Sequence, residues 1–292
     1  MSLLSRYHEL GVEVDPSFRP RPALRVNVLR VSEDEFLRVM GRKGVVLEPI
    51  PGVPHGYWYE SSFSLGATPE FLLGWYYLQE AASQVPPLVL APVVGERVLD
   101  MAAAPGSKTS QLAQLMSDDG VVVALDADRN RLASLRNNLE RLGVSCVVSY
   151  KKDARFAHDL GLSFDRVLLD APCSGNFCVE QDFFSKRSVA DVKQRARLQK
   201  ELLRSAYRVL KKGGVLVYST CSLEPEEDEA LVDWFLKEFP DVSLSESGVS
   251  LGEPGLTSAF GRSFDSSLSL TRRFWPSRSG TQGFFVARLV KG

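Results

Sequence analysis

The sequence predicts an α/β fold with a mostly parallel sheet, preceded by a small α+β module. From about residue 95, apolar segments typical of strands alternate with amphipathic segments typical of helices. The strand-like segments are apolar throughout, which is typical of strands covered by helices on both faces. The first part of the chain lacks this alternation. We therefore predict an N-terminal α+β module over residues 1–70 and a larger domain over residues 71–292.

Seven strands are predicted in the larger domain. They are ERVLDM (96–101), GVVVALD (120–126), CVVSYKKD (146–153), FDRVLLDAP (164–172), GVLVYSTCS (214–222), VSLSE (242–246) and GFFVARLV (283–290). Four helices are predicted between them, at 107–116, 128–142, 191–210 and 226–239. Asp128 is a typical cap for the second helix, and Gly143 is a typical stop. Residues 247–281 are rich in Ser, Gly and Arg and are predicted to form a long loop.

The N-terminal module combines strand-like segments with one capped helix. The strand-like segments are ALRVNVLRV, GVVLEPI and HGYWYES, and the helix is SEDEFLRVMGRKG. Several bases fall in this region: Arg19, Arg21, Arg25, Arg30, Arg38, Arg42 and Lys43. Two interpretations stay open, a solvated surface and an electrostatic footprint for RNA phosphates.

Bulk composition excludes several classes of protein. The chain has 44% hydrophobic and 24% charged residues and a net charge of −1, so no global charge attracts nucleic acid or membranes. No apolar run approaches the length of a membrane span, and we expect a soluble, cytoplasmic protein without a membrane partner. The four cysteines are Cys146, Cys173, Cys178 and Cys221. They form no CxxC pair and only three histidines accompany them, so we expect no metal site.

A loop of small residues follows the first strand of the larger domain. It reads Asp100-Met-Ala-Ala-Ala-Pro-Gly-Ser-Lys-Thr and precedes a predicted helix. Small residues let a ligand approach the backbone, and a helix N-terminus offers free N–H groups. The loop matches neither G-x-G-x-x-G nor G-x-x-x-x-G-K-[ST], because Ser107 stands where the second motif needs glycine. This disfavours a dinucleotide or a nucleoside triphosphate.

Carboxylates end the next three predicted strands, at Asp126, Asp153 and Asp170. Ligands of open parallel sheets bind beyond the carboxyl ends of the strands. We expect Asp126 to reach ribose hydroxyls and Asp153 to accept a hydrogen bond from an adenine amino group. Together with the small-residue loop, these acids fit an adenosine without phosphates, which matches S-adenosylmethionine. Taken singly, each aspartate is equally typical of a helix cap.

Four segments of the larger domain form a recognisable series: VLDMAAAPGSKTSQLAQ, LLDAPCSG, KKGGVLVYSTCSLEPEEDE, and RRFWP followed by GTQGFFVARL. In this order they resemble the signature blocks of RNA cytosine-5 methyltransferases of the Sun family. The resemblance extends from about residue 74 to the C-terminus, and RVNVLR is similar to the family's N-terminal RNA-binding module. It implies a class I methyltransferase domain, Rossmann-like, with a mostly parallel seven-stranded sheet.

The chemistry of that family requires thiols. Carbon 5 of cytosine is too weak a nucleophile to attack a methyl sulfonium directly, but a thiolate added to carbon 6 makes carbon 5 reactive. A base must then remove the carbon-5 proton before the thiolate can leave. The resemblance implies that Cys221 is the nucleophile, that Cys173 assists release and that Asp170 hydrogen-bonds the cytosine.

The resemblance also implies a set of donor-binding residues for S-adenosylmethionine. They are Ala102, Ala103, Ala104, Pro105, Gly106, Ser107, Lys108, Asp126, Arg131, Asp153 and Asp170. The sequence departs from the family at three positions, with Ser107 in place of a second glycine, Ala102 in place of a frequent cysteine and Ser277 in place of a common histidine. The expected substrate is RNA, with tRNA preferred over rRNA, and the expected state is a monomer.

Other hypotheses fit parts of the sequence. DAPC lies where amino-methyltransferases carry an Asp-Pro-Pro-aromatic block, but that chemistry leaves STCS unexplained. Cys173 alone could be the nucleophile, as in DNA cytosine methyltransferases with a Pro-Cys element. From a different class, the chain could be a non-catalytic RNA-binding or assembly factor, or the two cysteines a redox pair.

Overall fold

A computed structural model describes residues 2–180 and 182–292 of the chain. The first part contains strands β1 (Ala23–Val26), β2 (Val46–Pro49), β3 (Gly56–Glu60) and β4 (Tyr76–Leu78). Its helices are α1 (Leu3–Glu9), α2 (Glu33–Arg42), α3 (Pro69–Leu72) and α4 (Val85–Leu90). Among these residues and the rest of the described chain, no helix combines the length and apolar character that a bilayer span requires.

The N-terminal strands form one antiparallel sheet in the order β2-β3-β1-β4. Helix α2 begins where predicted, because the Ser32 side chain accepts a hydrogen bond from the Glu35 amide. Strand β1 is shorter than predicted and ends at Val26, because Asn27 turns the chain and donates to the Gly74 carbonyl. Strand β4 lies beyond residue 70, so this sheet extends past the predicted end of the module.

The second part of the chain is larger. Its strands are β5 (Arg97–Asp100), β6 (Val121–Asp126), β7 (Val147–Lys151), β8 (Phe164–Asp170), β9 (Leu210–Thr220), β10 (Val242–Leu244), β11 (Glu253–Pro254), β12 (Ser258–Ala259), β13 (Arg262–Ser263), β14 (Arg272–Phe274) and β15 (Phe284–Lys291). Its helices are α5 (Ser107–Leu115), α6 (Arg129–Leu142), α7 (Phe183–Lys186), α8 (Val189–Val209), α9 (Glu229–Glu238) and α10 (Pro276–Ser279).

The main sheet has the order β11-β14-β15-β9-β8-β5-β6-β7, with β10 added on β15. Strands β7, β6, β5, β8 and β9 are parallel, and β15 joins them antiparallel. The predicted α/β class with a mostly parallel sheet is confirmed. The described residues place nine strands in this sheet instead of the predicted seven, because β11 and β14 lie within the region predicted as a loop. That region also contains the β12–β13 pair and α10.

Helix boundaries follow the predicted signals closely. Asp128 caps α6 by accepting hydrogen bonds from two backbone amides, and Gly143 ends α6 with a left-handed backbone. Helix α9 begins at Glu229, later than predicted, because the preceding residues form a turn. Residues Lys211–Gly214, predicted as a helix stop, lie within β9, where the register with β8 is irregular.

Helices cover both faces of the parallel strands. On one face, α8 and α9 pack against the sheet through side chains such as Leu203 and Phe235. On the other face, α4 and α5 pack through side chains such as Val89 and Leu112. Each such buried side chain contributes roughly 1.5–3 kcal/mol relative to an exposed one. Because these strands are parallel, their carboxyl ends share one edge of the sheet. The loops with the predicted site residues lie at that edge.

Candidate active site

The small-residue loop after β5 is held by hydrogen bonds from neighbouring elements. The Ala103 amide donates to the Leu125 carbonyl of β6 at 2.9 Å. The Arg131 guanidinium, on α6, donates to the Ala104 carbonyl at 2.6 Å. These contacts place Ala102–Gly106 across the ends of β5 and β6, as predicted for a ligand-binding loop.

Gly106 is the tightest point of this loop. Its φ is +105°, and a Cβ atom there would lie 2.8 Å from Cδ1 of Leu135, a buried residue of α6. Only glycine combines that backbone conformation with that contact. Ser107 is the first residue of α5, a helical position that serine tolerates, so its departure from the family's glycine leaves the loop intact.

Asp100, at the end of β5, stabilises the start of the loop. Its carboxylate is buried and accepts a hydrogen bond from the Thr109 hydroxyl at 2.8 Å. Burial, opposed by that hydrogen bond, raises the pKa of Asp100 to about 6. The carboxylate links the end of β5 to the first turn of α5, which fixes both ends of the loop.

A cavity of about 270 Å³ lies beside the loop. Its lining combines polar and apolar side chains: Met101, Ala102, Asp126, Ala127, Arg131, Lys152, Asp153, Ala154, Arg155, Pro172, Leu198 and Leu202. Oδ2 of Asp126 is buried and accepts no hydrogen bond from the described residues, and its one ion pair, with Arg131, spans 3.5 Å. A buried acceptor without a donor is costly, so it fits a ligand that brings hydroxyl groups.

Asp153 also lines this cavity, but its carboxylate already has a partner. It accepts hydrogen bonds from the Arg155 amide at 3.0 Å and from the Arg155 guanidinium at 2.7 Å. A carboxylate has about four acceptor sites, so some capacity for an adenine amino group remains. The structure thus brings Asp126, Asp153 and Arg131 to one cavity. Asp153 also caps the short 3-10 helix Ala154–Leu160 by accepting from the Arg155 amide.

The two predicted catalytic cysteines lie side by side. Cys173 follows β8 and Cys221 follows β9, and their sulfur atoms are 3.2 Å apart. The hydrogen bond with the Cys221 sulfur, together with loss of solvent, raises the pKa of the Cys173 thiol well above its ordinary value. The Cys221 carbonyl accepts a hydrogen bond from Asn176 at 2.7 Å. The loops that follow β8 and β9 therefore hold the two sulfur atoms within contact distance of each other.

Asp170 and Lys108 form an ion pair next to the cysteines. Nζ of Lys108 lies 2.7 Å from Oδ2 of Asp170, and the Ser219 hydroxyl donates to Oδ1 at 2.7 Å. Burial disfavours the charged amine, but the charges of Asp170, Asp100 and Cys221 outweigh it and raise the pKa of Lys108. The sequence predicted Lys108 as part of the small-residue loop that binds S-adenosylmethionine. It did not predict the ion pair with Asp170, because the two residues are 62 positions apart.

A buried carboxylate joins the two cysteine loops. Glu227 accepts hydrogen bonds from the Ser174 amide and hydroxyl, at 3.0 and 2.5 Å, and from the Ser222 hydroxyl at 2.6 Å. Gln199 of α8 donates to the same carboxylate at 3.1 Å. Burial, opposed by these donors, raises the pKa of Glu227. This role was not predictable from the local sequence, because the acidic run LEPEEDE is typical of a helix start.

Further acids of that run pair with arginines distant in sequence. Arg273 of β14 is fully buried and bonds to Asp228 at 3.0 Å and to Glu229. Burial disfavours the guanidinium charge, but the two carboxylates outweigh it and raise the pKa of Arg273. Arg6 of α1 bonds to Glu224 at 2.9 Å, which attaches the N-terminal helix to the same turn.

The bases of the N-terminal module do not form one exposed cluster. Arg25 is buried and donates to Gln79, Ser110 and Gln114, so its place in an RNA footprint is wrong. Arg21 pairs with Glu48 and Lys43 pairs with Glu70. The electrostatic footprint predicted as one interpretation is therefore weaker than the sequence suggested.

No group of three or more His, Cys, Asp or Glu side chains in residues 2–180 and 182–292 is arranged to hold a metal ion. The site combines a cavity lined by both carboxylates and cations with two adjacent thiols, at the carboxyl edge of a parallel sheet. This combination of fold and site defines a class I methyltransferase.

Comparison with known proteins gives the family. The family described as 16S rRNA methyltransferase RsmB/F matches residues 87–290, and the N-terminal domain of 16S rRNA methyltransferase RsmF matches residues 16–81. The chain therefore belongs to the RsmB/F methyltransferase family.

Individual relatives carry related names. The 28S rRNA (cytosine-C(5))-methyltransferase of Mus musculus is 43% identical over 287 residues, covering 93% of this chain and 35% of that protein. The tRNA (cytosine(49)-C(5))-methyltransferase of Pyrococcus abyssi is 40% identical over 277 residues, covering 93% of this chain and 88% of that protein. The crystal structure of NSun6 from Pyrococcus horikoshii with SFG has a TM-score of 0.84 and 26% identity, covering 94% of this chain and 92% of that one. The chain thus spans about a third of the mouse relative.

Proposed function

We propose that this protein transfers a methyl group from S-adenosylmethionine to carbon 5 of a cytidine in RNA. The observation that carries the proposal is the 3.2 Å contact between the sulfur atoms of Cys173 and Cys221 beside the cavity that Asp126 and Asp153 line. Methylation of an exocyclic amine needs no thiol, so the paired cysteines favour the carbon-5 reaction. Membership of the RsmB/F family and the names of its relatives support the same reaction.

The cavity beside the loop suits the methyl donor. Asp126 offers its unpartnered oxygen to ribose hydroxyls, and Asp153 remains available to the adenine amino group. Apolar side chains of Met101, Leu198 and Leu202 line the cavity and suit the adenine ring. Bound there, S-adenosylmethionine would supply an electrophilic methyl group. The solved relative with SFG, an analogue of this donor, supports the choice.

The cysteines divide the reaction between them. Cys221 adds through its sulfur to carbon 6 of the cytosine, which makes carbon 5 a nucleophile. The family resemblance assigns the attack to Cys221, and the 3.2 Å contact keeps the Cys173 thiol beside it. After methylation, removal of the carbon-5 proton restores the double bond and expels the Cys221 thiolate. Cys173, at 3.2 Å, is placed to assist this release.

Asp170 contacts the cytosine, and Lys108 orients Asp170. Asp170 ends β8 next to the Cys173 loop, and its ion pair with Lys108 and hydrogen bond from Ser219 fix its orientation. A fixed carboxylate can accept hydrogen bonds from the cytosine amino group or from a protonated ring nitrogen. This would stabilise the charge that develops when sulfur adds to carbon 6.

Transfer RNA is our first candidate for the substrate and ribosomal RNA the second. The Pyrococcus abyssi relative, whose length this chain covers to 88%, is named for tRNA. The family name and the mouse relative refer to rRNA, but this chain covers only 35% of the mouse protein. RNA binding by the N-terminal module, a monomeric state and a cytoplasmic location remain parts of this proposal.

The test is methyl transfer from labelled S-adenosylmethionine to total tRNA and, separately, to ribosomal RNA stripped of protein. We expect the label in 5-methylcytidine after digestion to nucleosides, and bisulfite sequencing then gives its position. Label in N4-methylcytidine would favour an amino-methyltransferase. RNA binding without any transfer would favour a non-catalytic RNA-binding factor.

A further inference from the structure

A second cavity lies on the other side of helix α8 from the cavity proposed for the methyl donor, which we call the donor cavity. Its volume is about 520 Å³, and we call it the α8–α9 cavity. It is lined by Lys193, Ala196, Arg197, Lys200, Glu226, Ala230, Leu231, Asp233, Trp234, Lys237, Arg262, Ser263 and Phe264. Leu198 and Leu202 of the same helix line the donor cavity instead. Helix α8 therefore separates the two cavities.

The α8–α9 cavity carries an excess of positive charge. Its two carboxylates already have cationic partners, since Glu226 lies 2.5 Å from Arg6 and Asp233 lies 2.6 Å from Lys237. Four lining cations form no salt bridge or side-chain hydrogen bond with residues 2–180 or 182–292: Lys193, Arg197, Lys200 and Arg262. Four unpaired cations in one cavity favour an anionic ligand.

Lys200 shows the effect of this crowding. Its side chain is half-buried, with Nζ 4.6 Å from the ring centre of Trp234. Burial and the charge of Arg204, which lies outside the cavity lining, lower the pKa of the Lys200 ammonium; Glu238 opposes them, and Arg262 of the lining adds to the lowering. An anion bound among these cations would relieve their repulsion and stabilise the site.

The position of the cavity relates it to the cysteine pair. Helices α8 and α9 follow β8 and β9, so both begin at the edge of the sheet where Cys173 and Cys221 lie. Glu226 lines the cavity, while the next residue, Glu227, bonds to the Ser174 loop beside Cys173. The cations thus flank the reaction site on the side opposite the donor cavity.

An RNA substrate places phosphates in this neighbourhood. The reacting base must leave its stack and enter the site, so the backbone on either side of it approaches the same edge of the protein. Phosphate contacts supply much of the affinity of nucleic-acid complexes. Arg25 of the N-terminal module is buried within the fold, and Arg21 and Lys43 are paired with carboxylates, whereas the α8–α9 cavity holds four cations without such partners among the described residues.

We propose that the α8–α9 cavity binds backbone phosphates of the RNA substrate close to the target cytidine. This inference rests on the proposed function and identifies where that site holds its polynucleotide. Arg197 and Lys200, one turn apart on α8, are its central contacts. They contact the RNA backbone and bind no donor, so they govern affinity and not the chemical step.

The test compares RNA affinity with its dependence on salt. We expect Arg197→Gln/Lys200→Gln to bind total tRNA, or stripped ribosomal RNA, at least roughly 10-fold more weakly at low salt. Log affinity falls as log salt rises, and each lost phosphate contact makes this negative slope shallower by about 0.7–0.9. Two lost contacts therefore make it shallower by roughly 1.5. At saturating RNA, kcat should stay within about twofold of the unmutated value.

Two control variants make the result specific. Arg208→Gln/Lys212→Gln removes the same charge from exposed positions at the other end of α8 and the start of β9, and it should retain the original slope. Arg197→Lys/Lys200→Arg keeps both charges and should also retain it. Equal slopes for the cavity variant and the charge-matched control would overturn the inference. Methyl transfer by the unmutated protein is scored separately, and its absence would contradict the proposed function instead.

Discussion

Glu227 is the residue that joins the loops of the two cysteines. Its carboxylate bonds to Ser174 and Ser222, the residues that follow Cys173 and Cys221. A carboxylate accepts at both oxygens, whereas an amide offers a donor at one of them. In the observed network the Ser174 amide, the Gln199 amide and both hydroxyl groups donate, so a carboxylate fits this position, and we expect the spacing of the two sulfur atoms to depend on it.

We predict that Glu227→Gln lowers kcat on the order of 10- to 100-fold, with a smaller change in KM for RNA. The amide would face the Ser174 and Ser222 hydroxyl groups with a donor, and a displacement of about 1 Å costs on that scale. Steady-state kinetics measured well below the melting temperature gives the separate changes in kcat and in KM for RNA. Glu238→Gln, an exposed change on α9, is the control. A kcat that tracks only the folded fraction would show that Glu227 is merely structural.

The small-residue loop after β5 takes its conformation from several residues acting together. Asp100 fixes its start, Arg131 holds its middle and Gly106 permits its close approach to α6. The loop sequence was sufficient to predict its position between a buried strand and a helix, whereas its role in binding S-adenosylmethionine stays a prediction. The ion pair of Lys108 with Asp170 was not predictable, since it depends on β8 lying next to β5.

We predict that Gly106→Ala destabilises the fold and raises KM for the donor roughly 10-fold. The left-handed backbone alone costs about 1–2 kcal/mol, and the new methyl group would lie 2.8 Å from Leu135. Thermal melting and donor titration measure the two effects. Gly161→Ala is the matched control, because φ there is +63° and the site is open. Equal melting shifts and an unchanged donor KM would refute the steric argument.

At the scale of the whole molecule, ion pairs connect segments far apart in sequence. Arg273 of β14 bonds to the turn after Cys221, and Arg6 of α1 bonds to Glu224 in the same turn. The turn is thus held by both ends of the chain. The sequence predicted a loop around Arg273, because a Ser- and Arg-rich segment is normally exposed. Burial of Arg273 becomes favourable only with its distant carboxylates in place.

Sequence reasoning succeeded where the signal is local and failed where it is not. Cap residues such as Asp128 and the loop around Gly106 are short segments whose conformation the local sequence indicates. The two cysteine motifs were identified by family resemblance, and the chemical roles of the cysteines stay predictions. Arg25 was placed among surface bases because its partners lie more than 50 positions away. The α8–α9 cavity likewise combines three segments that no single stretch reveals.

We predict that Arg273→Met lowers the free energy of unfolding by about 3–5 kcal/mol. The change leaves the carboxylates of Asp228 and Glu229 buried without their cation. Chemical denaturation measures the loss. Arg278→Met removes an exposed pair with Glu253 from the same segment, and it should cost at most about 1 kcal/mol. A similar small loss in both variants would contradict the role assigned to Arg273.

In the proposed reaction the Cys221 sulfur bonds to cytosine, and Cys173 assists its release. The most direct measurement is covalent trapping of RNA on denaturing gels, with S-adenosylmethionine and total tRNA or ribosomal RNA present. We predict that Cys173→Ser accumulates a protein–RNA adduct, whereas Cys221→Ser and the double variant form none. An adduct on Cys221→Ser that is absent from Cys173→Ser would contradict the account.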